Sequence, residues 1–128
     1  MDDLDVIARD VVDLAIRIHR DLGPGLLESV YETVLGAALV RQGYAVERQV
    51  PVDFTFDGLV FTGAFRVDLL IDGRFVVEIK SVEKLNGAHA KQLLTYLRLM
   101  KQPLGLLLNF SGETMKEGIR RLVNDHRR

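Results

Sequence analysis

The chain has 128 residues, 48% hydrophobic and 27% charged, with a formal net charge of −1 and no cysteine. That length favours one domain, residues 1–128, large enough to bury roughly 65% of its unfolded surface around a single core. The lack of cysteine excludes disulfides, thiol nucleophiles and thiolate zinc sites and suits a reducing cytoplasm, while the near-neutral charge excludes nucleic-acid binding by bulk attraction alone.

The acidic start, MDDLDVIARDVVD, has neither a signal-peptide nor a transit-peptide pattern. No apolar run approaches the ~18 residues that a membrane span needs. Leu4, Ile7, Val11, Leu14, Ile18 and Leu22 recur at helical spacing, so the first helix is predicted from Leu4 to Asp21, stopped by "GPG" at 23–25. A second helix follows from Leu26 to Gln42, with Gly43 as the residue that ends it. The next stretch, from Ala45 to Ser81, is rich in Val and Phe and holds Asp-Gly turns at 57–58 and 72–73. It reads as three or four antiparallel strands. Asn86 then caps a third helix, which Pro103 ends. "LGLLLNF" is a continuous apolar run and reads as a strand buried on both faces. A last helix is predicted from Glu113 to Asp125. The fold class is therefore α/β, or α+β by stricter naming: a mixed sheet with helices on both faces.

The segment RVDLLIDGRFVVEIKSV, residues 66–82, fixes a register. A two-residue loop at Asp72-Gly73 pairs Ile71 with Arg74 and sends Asp68 and Glu78 to opposite sides of the sheet. A three-residue loop pairs Ile71 with Phe75, and Leu69 then meets Val77. Alternation selects the second register, because a slip of one residue scatters charge into the core. Asp68 then opposes Glu78, and Lys80 opposes Arg66. Two bare carboxylates across a strand pair repel, so something positive belongs between them. Lys80 and Arg66 can serve, and so can a metal ion; oxygen ligands select a hard cation, Mg²⁺ or Mn²⁺. A salt-bridge cluster on a half-exposed sheet fits the same spacing.

These residues resemble a known family. Asp68 with Glu78-Ile79-Lys80 has the form of the PD-(D/E)XK nuclease signature, although Val67 rather than proline precedes the aspartate. Gln92 and Tyr96 of "QLLTY" resemble the QxxxY element of the RecB-type branch. Gly25, Glu28 and Tyr31 of "GLLESVY" are similar to the pattern that names the GxxExxY protein family. The resemblance runs from Val6 to Val123 and implies a restriction-endonuclease-like αβββαβ core.

It also implies roles. Asp68 and Glu78 would ligate Mg²⁺ or Mn²⁺, the Ile79 carbonyl would add an oxygen, and Glu28 would complete the site directly or through a water. Lys80 would orient or help deprotonate the attacking water, and Gln92 and Tyr96 would hold Lys80, a metal-bound water or a phosphate. His89 shares the helix face of Gln92 and, with Arg66, is a candidate for substrate contact. Tyr31 is expected to pack beside Glu28. His19 and His126 have no partner at metal-ligand spacing.

The implied activity is metal-dependent phosphodiester hydrolysis on nucleic acid, DNA ahead of RNA, by a domain that acts as a homodimer or is recruited by a protein partner. The alternative is a non-catalytic metal- or nucleic-acid-binding module of a repair or defence complex. Arg120, Arg121, Arg127 and Arg128 are the candidate basic patch, though a solvated helix face with a frayed end explains them as well.

Overall fold

The structure, a computed structural model, describes residues 3–125. Apolar residues three or four apart build helix α1 (Asp3–Leu22), which buries Leu4, Ile7, Val11, Leu14 and Ile18 along one stripe. Helix α2 spans Glu28–Arg41 and buries Tyr31, Leu35 and Leu39. Between them lie Gly23 and Gly25, both at positive φ, 78° and 98°. Residues without a Cβ adopt that backbone at little cost, and this sharp loop turns α2 back on α1.

Three antiparallel strands follow: β1 (Val46–Phe56), β2 (Leu59–Ile71) and β3 (Phe75–Lys80). The β1–β2 turn is Asp57-Gly58 with both φ positive, 53° and 75°, the geometry that matches strand twist in two-residue hairpins. Beyond Val52 this hairpin leaves the core, and Phe56, Leu59 and Val60 at its tip are exposed. The β2–β3 turn follows the three-residue expectation: Ile71 pairs with Phe75 and Leu69 with Val77.

Asn86 caps helix α3 (Gly87–Met100), its side-chain oxygen accepting from the backbone N–H of Ala88 and His89 at 2.9 and 3.4 Å. Strand β4 (Leu104–Asn109) runs parallel to β3, and all six of its residues are buried, as the continuous apolar run requires.

The chain departs from expectation after Gly112. In place of a helix from Glu113 to Asp125, a single 3₁₀ turn (Lys116–Gly118) leads into strand β5 (Ile119–Val123), antiparallel to β4. Met115, Ile119 and Leu122 are spaced as in a helix, so local periodicity alone is compatible with the expected element. The buried strand β4, however, needs a hydrogen-bonding partner on its second edge, and the β-branched ends of "IRRLV" supply it.

The sheet order is β1-β2-β3-β4-β5. One face packs on α1 and α2 through Leu69, Ile71, Val77, Ile79, Leu106 and Leu108. The other packs on α3 through Val67, Leu70, Val76, Leu93, Leu97 and Leu107. The architecture is α+β, with helices on both faces of a mixed sheet. Among the described residues no helix is long and apolar enough to cross a membrane.

Gly118 stands where the 3₁₀ turn enters β5, and a Cβ there would lie 1.9 Å from the backbone oxygen of Asn109. Gly118→Ala is expected to destabilise the fold by ~3 kcal/mol, the upper end of overpacking costs, read as a lower denaturant midpoint at unchanged slope.

Candidate active site

The β2–β3 ladder stops at the Leu69–Val77 pair, and the next position on each strand is an acid. There the side chains take over the hydrogen bonds. The Asp68 backbone N–H donates to Glu78 Oε2 at 3.0 Å, and the Ile79 N–H donates to Asp68 Oδ2 at 2.7 Å. Each carboxylate thus stands in for a backbone carbonyl of its own strand, and the two acids are drawn into the gap between the strands. Glu78 is buried and Asp68 half-buried.

The electrostatics follow from that burial. Desolvation pushes the Glu78 carboxyl up from its ordinary 4.5 to about 9, and the Asp68 charge adds to the rise. The attraction of Lys80 opposes it as the smallest of the influences. The pair therefore favours holding a proton at neutral pH in the metal-free protein, with Glu78, the more buried acid, as its favoured site. Tyr96 on α3 stacks on Phe65, with ring centroids 4.0 Å apart and planes at 7°. Burial raises its hydroxyl pKa, and the charges of Glu78 and Asp68 raise it further, so its ring lies within electrostatic reach of both acids.

The α2 side of the gap opens into a cleft of about 850 Å³ lined by Gly25, Glu28, Glu32, Arg48, Gln49 and Asp68, among others. Glu28, in the first turn of α2, crosses to the end of β3, where its Oε2 accepts from the Ser81 N–H at 2.9 Å. Tyr31, fully buried one turn on, stacks on Phe110 at 4.3 Å and donates from its hydroxyl to the Gly23 carbonyl at 2.6 Å. The tyrosine thus fixes the loop that presents Glu28, the packing role expected of it. The buried Asn109, at the end of β4, holds the segment after β3 by donating to the Val82 carbonyl and accepting from the Val82 N–H, at 2.9 and 3.0 Å.

The structure brings some expected site residues together and separates others. Asp68 and Glu78 meet at the opened strand ends, with Lys80 within electrostatic reach of Glu78 and Tyr96 within reach of both acids. Glu28 shares the cleft with Asp68, yet no three His, Cys, Asp or Glu side chains among the described residues group closely enough to hold one ion. Gln92 is exposed on α3, and Arg66 is exposed on β2 opposite Pro51. His89 is an element of the helix cap: its Nδ1 accepts from the Asn86 N–H at 3.1 Å.

The candidate basic patch is largely engaged elsewhere. Arg121 pairs with Asp5 of α1, and Arg120 donates to the carbonyls of Glu117 and Ile119. Arg127, Arg128 and His126 lie outside the described residues. His19 is buried against the Gly112 carbonyl at 2.8 Å.

Sequence reasoning missed Glu32, Arg48 and Gln49. Glu32 follows Glu28 by four residues, and that spacing alone places both on one helix face. Arg48 donates to it from Nε at 3.0 Å, with Nη2 ion-paired to the same oxygen at 3.0 Å, and Gln49 donates from Nε2 at 2.6 Å.

A divalent cation suits this donor set. Two coupled carboxylates and a backbone carbonyl are hard oxygen donors, and Mg²⁺ commonly takes one or two carboxylates with water and substrate phosphate completing its sphere. Burial first, and the Asp68 charge second, raise the Glu78 pKa, and a cation bound between the acids would offset both.

These features define an α+β domain with an acid pair at the mouth of a strand gap and a lysine beside it. A family model of the PD-(D/E)XK nuclease superfamily matches residues 5–122. The chain belongs to that superfamily, whose members act on nucleic acid and typically use divalent metal ions. No curated protein matches the chain. Among solved structures it is similar to the crystal structure of SSO0001, at 19% identity with a TM-score of 0.50, covering 91% of this chain and 67% of that one. At that identity the likeness is one of fold.

Because the folded-state pKa of Glu78 lies above its unfolded value, the folded protein holds a proton that the unfolded chain releases between pH 4.5 and about 9. The stability this contributes is fully present below pH 4.5 and is lost as pH rises through about 9. The metal-free melting temperature is expected to fall from pH 5 to pH 9. Glu78→Gln should flatten that slope and raise the melting temperature at the alkaline end, as thermal unfolding in chelator would read.

Proposed function

We propose that the protein is a metal-dependent phosphodiesterase, hydrolysing DNA in preference to RNA at the Asp68–Glu78 gap. The observation that carries the reading is the acid pair itself, held by reciprocal backbone hydrogen bonds with Lys80 adjoining and the Tyr96 ring in electrostatic reach. A buried acid pair of this kind is costly to ionise fully unless the site is used with its charge compensated.

In this reading Asp68, Glu78 and the Ile79 carbonyl hold Mg²⁺ or Mn²⁺, with Glu28 completing the site through a water. When bound, the cation polarises the phosphodiester and lowers the pKa of a coordinated water. Glu78 would give up its proton to ligate the ion, so binding would tighten with rising pH. Lys80 orients the attacking water or offsets charge on the phosphoryl oxygens, and the Tyr96 hydroxyl positions Lys80 or a phosphate oxygen. The outcome is attack on phosphorus with displacement of a sugar oxygen. Gly25, Glu28 and Tyr31, with Gln92 and Tyr96, support a finer placement among GxxExxY proteins with the RecB-type QxxxY helix.

Incubation with single- and double-stranded DNA and with RNA, in Mg²⁺, Mn²⁺ or chelator, tests the reading. Cutting is expected only with metal. Asp68→Asn and Lys80→Ala should each lose at least about 100-fold in rate while keeping the wild-type melting temperature within a few degrees. Binding of nucleic acid that survives in both variants, with no cutting by wild type, would favour the non-catalytic module.

A further inference from the structure

Gln49 has an unusual place. Strand β1 pairs with β2 through Arg48–Leu69 and through Val50–Val67, and Gln49 and Asp68 face each other between those pairs outside the regular ladder. Gln49 has φ of 51°, a left-handed backbone that a glutamine rarely adopts and that costs on the order of 1 kcal/mol or more. The inversion changes which way the strand faces. Val46 packs with the α1–α2 core and Arg48 reaches α2, whereas Val50 and Val52 pack with the α3 core. Without the inversion, alternation would turn Gln49 away from α2.

The side chain uses the orientation so obtained. Its Nε2 donates to Glu32 Oε1 at 2.6 Å and to Asp68 Oδ1 at 3.1 Å. Glu32 is 5% exposed and is itself fixed by Arg48, whose Nη2 also donates to Thr33 Oγ1 at 2.8 Å. One amide thus links a buried, salt-bridged acid on α2 to the exposed side of the Asp68 carboxylate, whose other oxygen is held by Ile79 N–H. The strained backbone serves no turn: the strand continues in the same register on both sides.

We infer that Gln49 is a positioning residue, which, anchored by Glu32 and Arg48, fixes the rotation of the Asp68 carboxylate so that it presents its free lone pairs to a divalent cation. The role rests on the metal-binding reading above. Partners of this kind, one bond removed from a ligand, typically change metal affinity by about 10–100-fold when removed.

Gln49→Gly tests it cleanly, since glycine adopts the positive φ without strain and deletes only the bridge. Three readouts on the metal-free and Mn²⁺-titrated protein are needed. The melting temperature in chelator should stay within a few degrees, because relief of the φ strain offsets loss of the Glu32 hydrogen bond. The Ile79 amide, whose acceptor is Asp68, should exchange its hydrogen at least about fivefold faster as the carboxylate loosens. The Mn²⁺ dissociation constant, by calorimetry, should rise about tenfold. A melting temperature lowered by many degrees would make Gln49 a structural tie and overturn the role, as would unchanged Ile79 exchange together with an unchanged Mn²⁺ constant. If wild type takes up no Mn²⁺, the metal reading fails, and the Ile79 exchange alone then decides whether Gln49 orients Asp68.

Discussion

The structure turns on a substitution of hydrogen-bonding groups where β2 and β3 part. A sheet ladder satisfies each backbone N–H with a carbonyl of the neighbouring strand. At Asp68 and Ile79 the acceptors are carboxylate oxygens instead. The exchange keeps the amides satisfied while the strands spread, so the gap carries no unpaired backbone donor at those two positions. It also forces two acids close together in a poorly solvated place. The opening and the electrostatics are one feature, because the groups that prop the strands apart are the groups that repel once both are ionised.

The surrounding elements hold that feature in place. Behind β3 lies β4, buried along its whole length and paired on its far side by β5. The loop from α1 to α2 is tied by Tyr31, which accepts from the Leu26 N–H at 3.2 Å and donates to the Gly23 carbonyl. The spacing of Gly25, Glu28 and Tyr31 thus has a mechanical sense. The glycine permits the turn, the tyrosine anchors it to the core, and the glutamate between them reaches the Ser81 amide at the end of β3.

The alternation of apolar side chains made much of this legible. It fixed the β2–β3 register, the buried character of β4 and the helix faces, because each depends on local periodicity that burial enforces. The last element was misread because Met115, Ile119 and Leu122 satisfy a helical period, while the decisive influence, the free edge of β4, lies outside the local sequence. Asp68, Glu78 and Lys80 were visible as charges inside apolar strands. Gln49 was not, since an inverted φ at a glutamine leaves no trace in composition or spacing. His89 looked like a site residue because three-residue spacing puts it on the Gln92 face, yet the same spacing from Asn86 makes it a cap.

The sequence left open what meets the charge of the acid pair: Lys80, Arg66 or an ion. Arg66 is exposed, and no ion pair among the described residues joins it or Lys80 to either acid. Lys80 pulls the Glu78 pKa down less than any other influence acts on it, and the carboxyl still rises to about 9. The neighbouring cations therefore fail to neutralise the pair, and in the metal-free protein a proton does so. A proton on Glu78 is a compensation that a stronger cation displaces, and it leaves the lysine ammonium uncommitted to the acids. In the hydrolysis proposed above, such a lysine would have charge to offer the transition state, whereas one already paired to a carboxylate would have little.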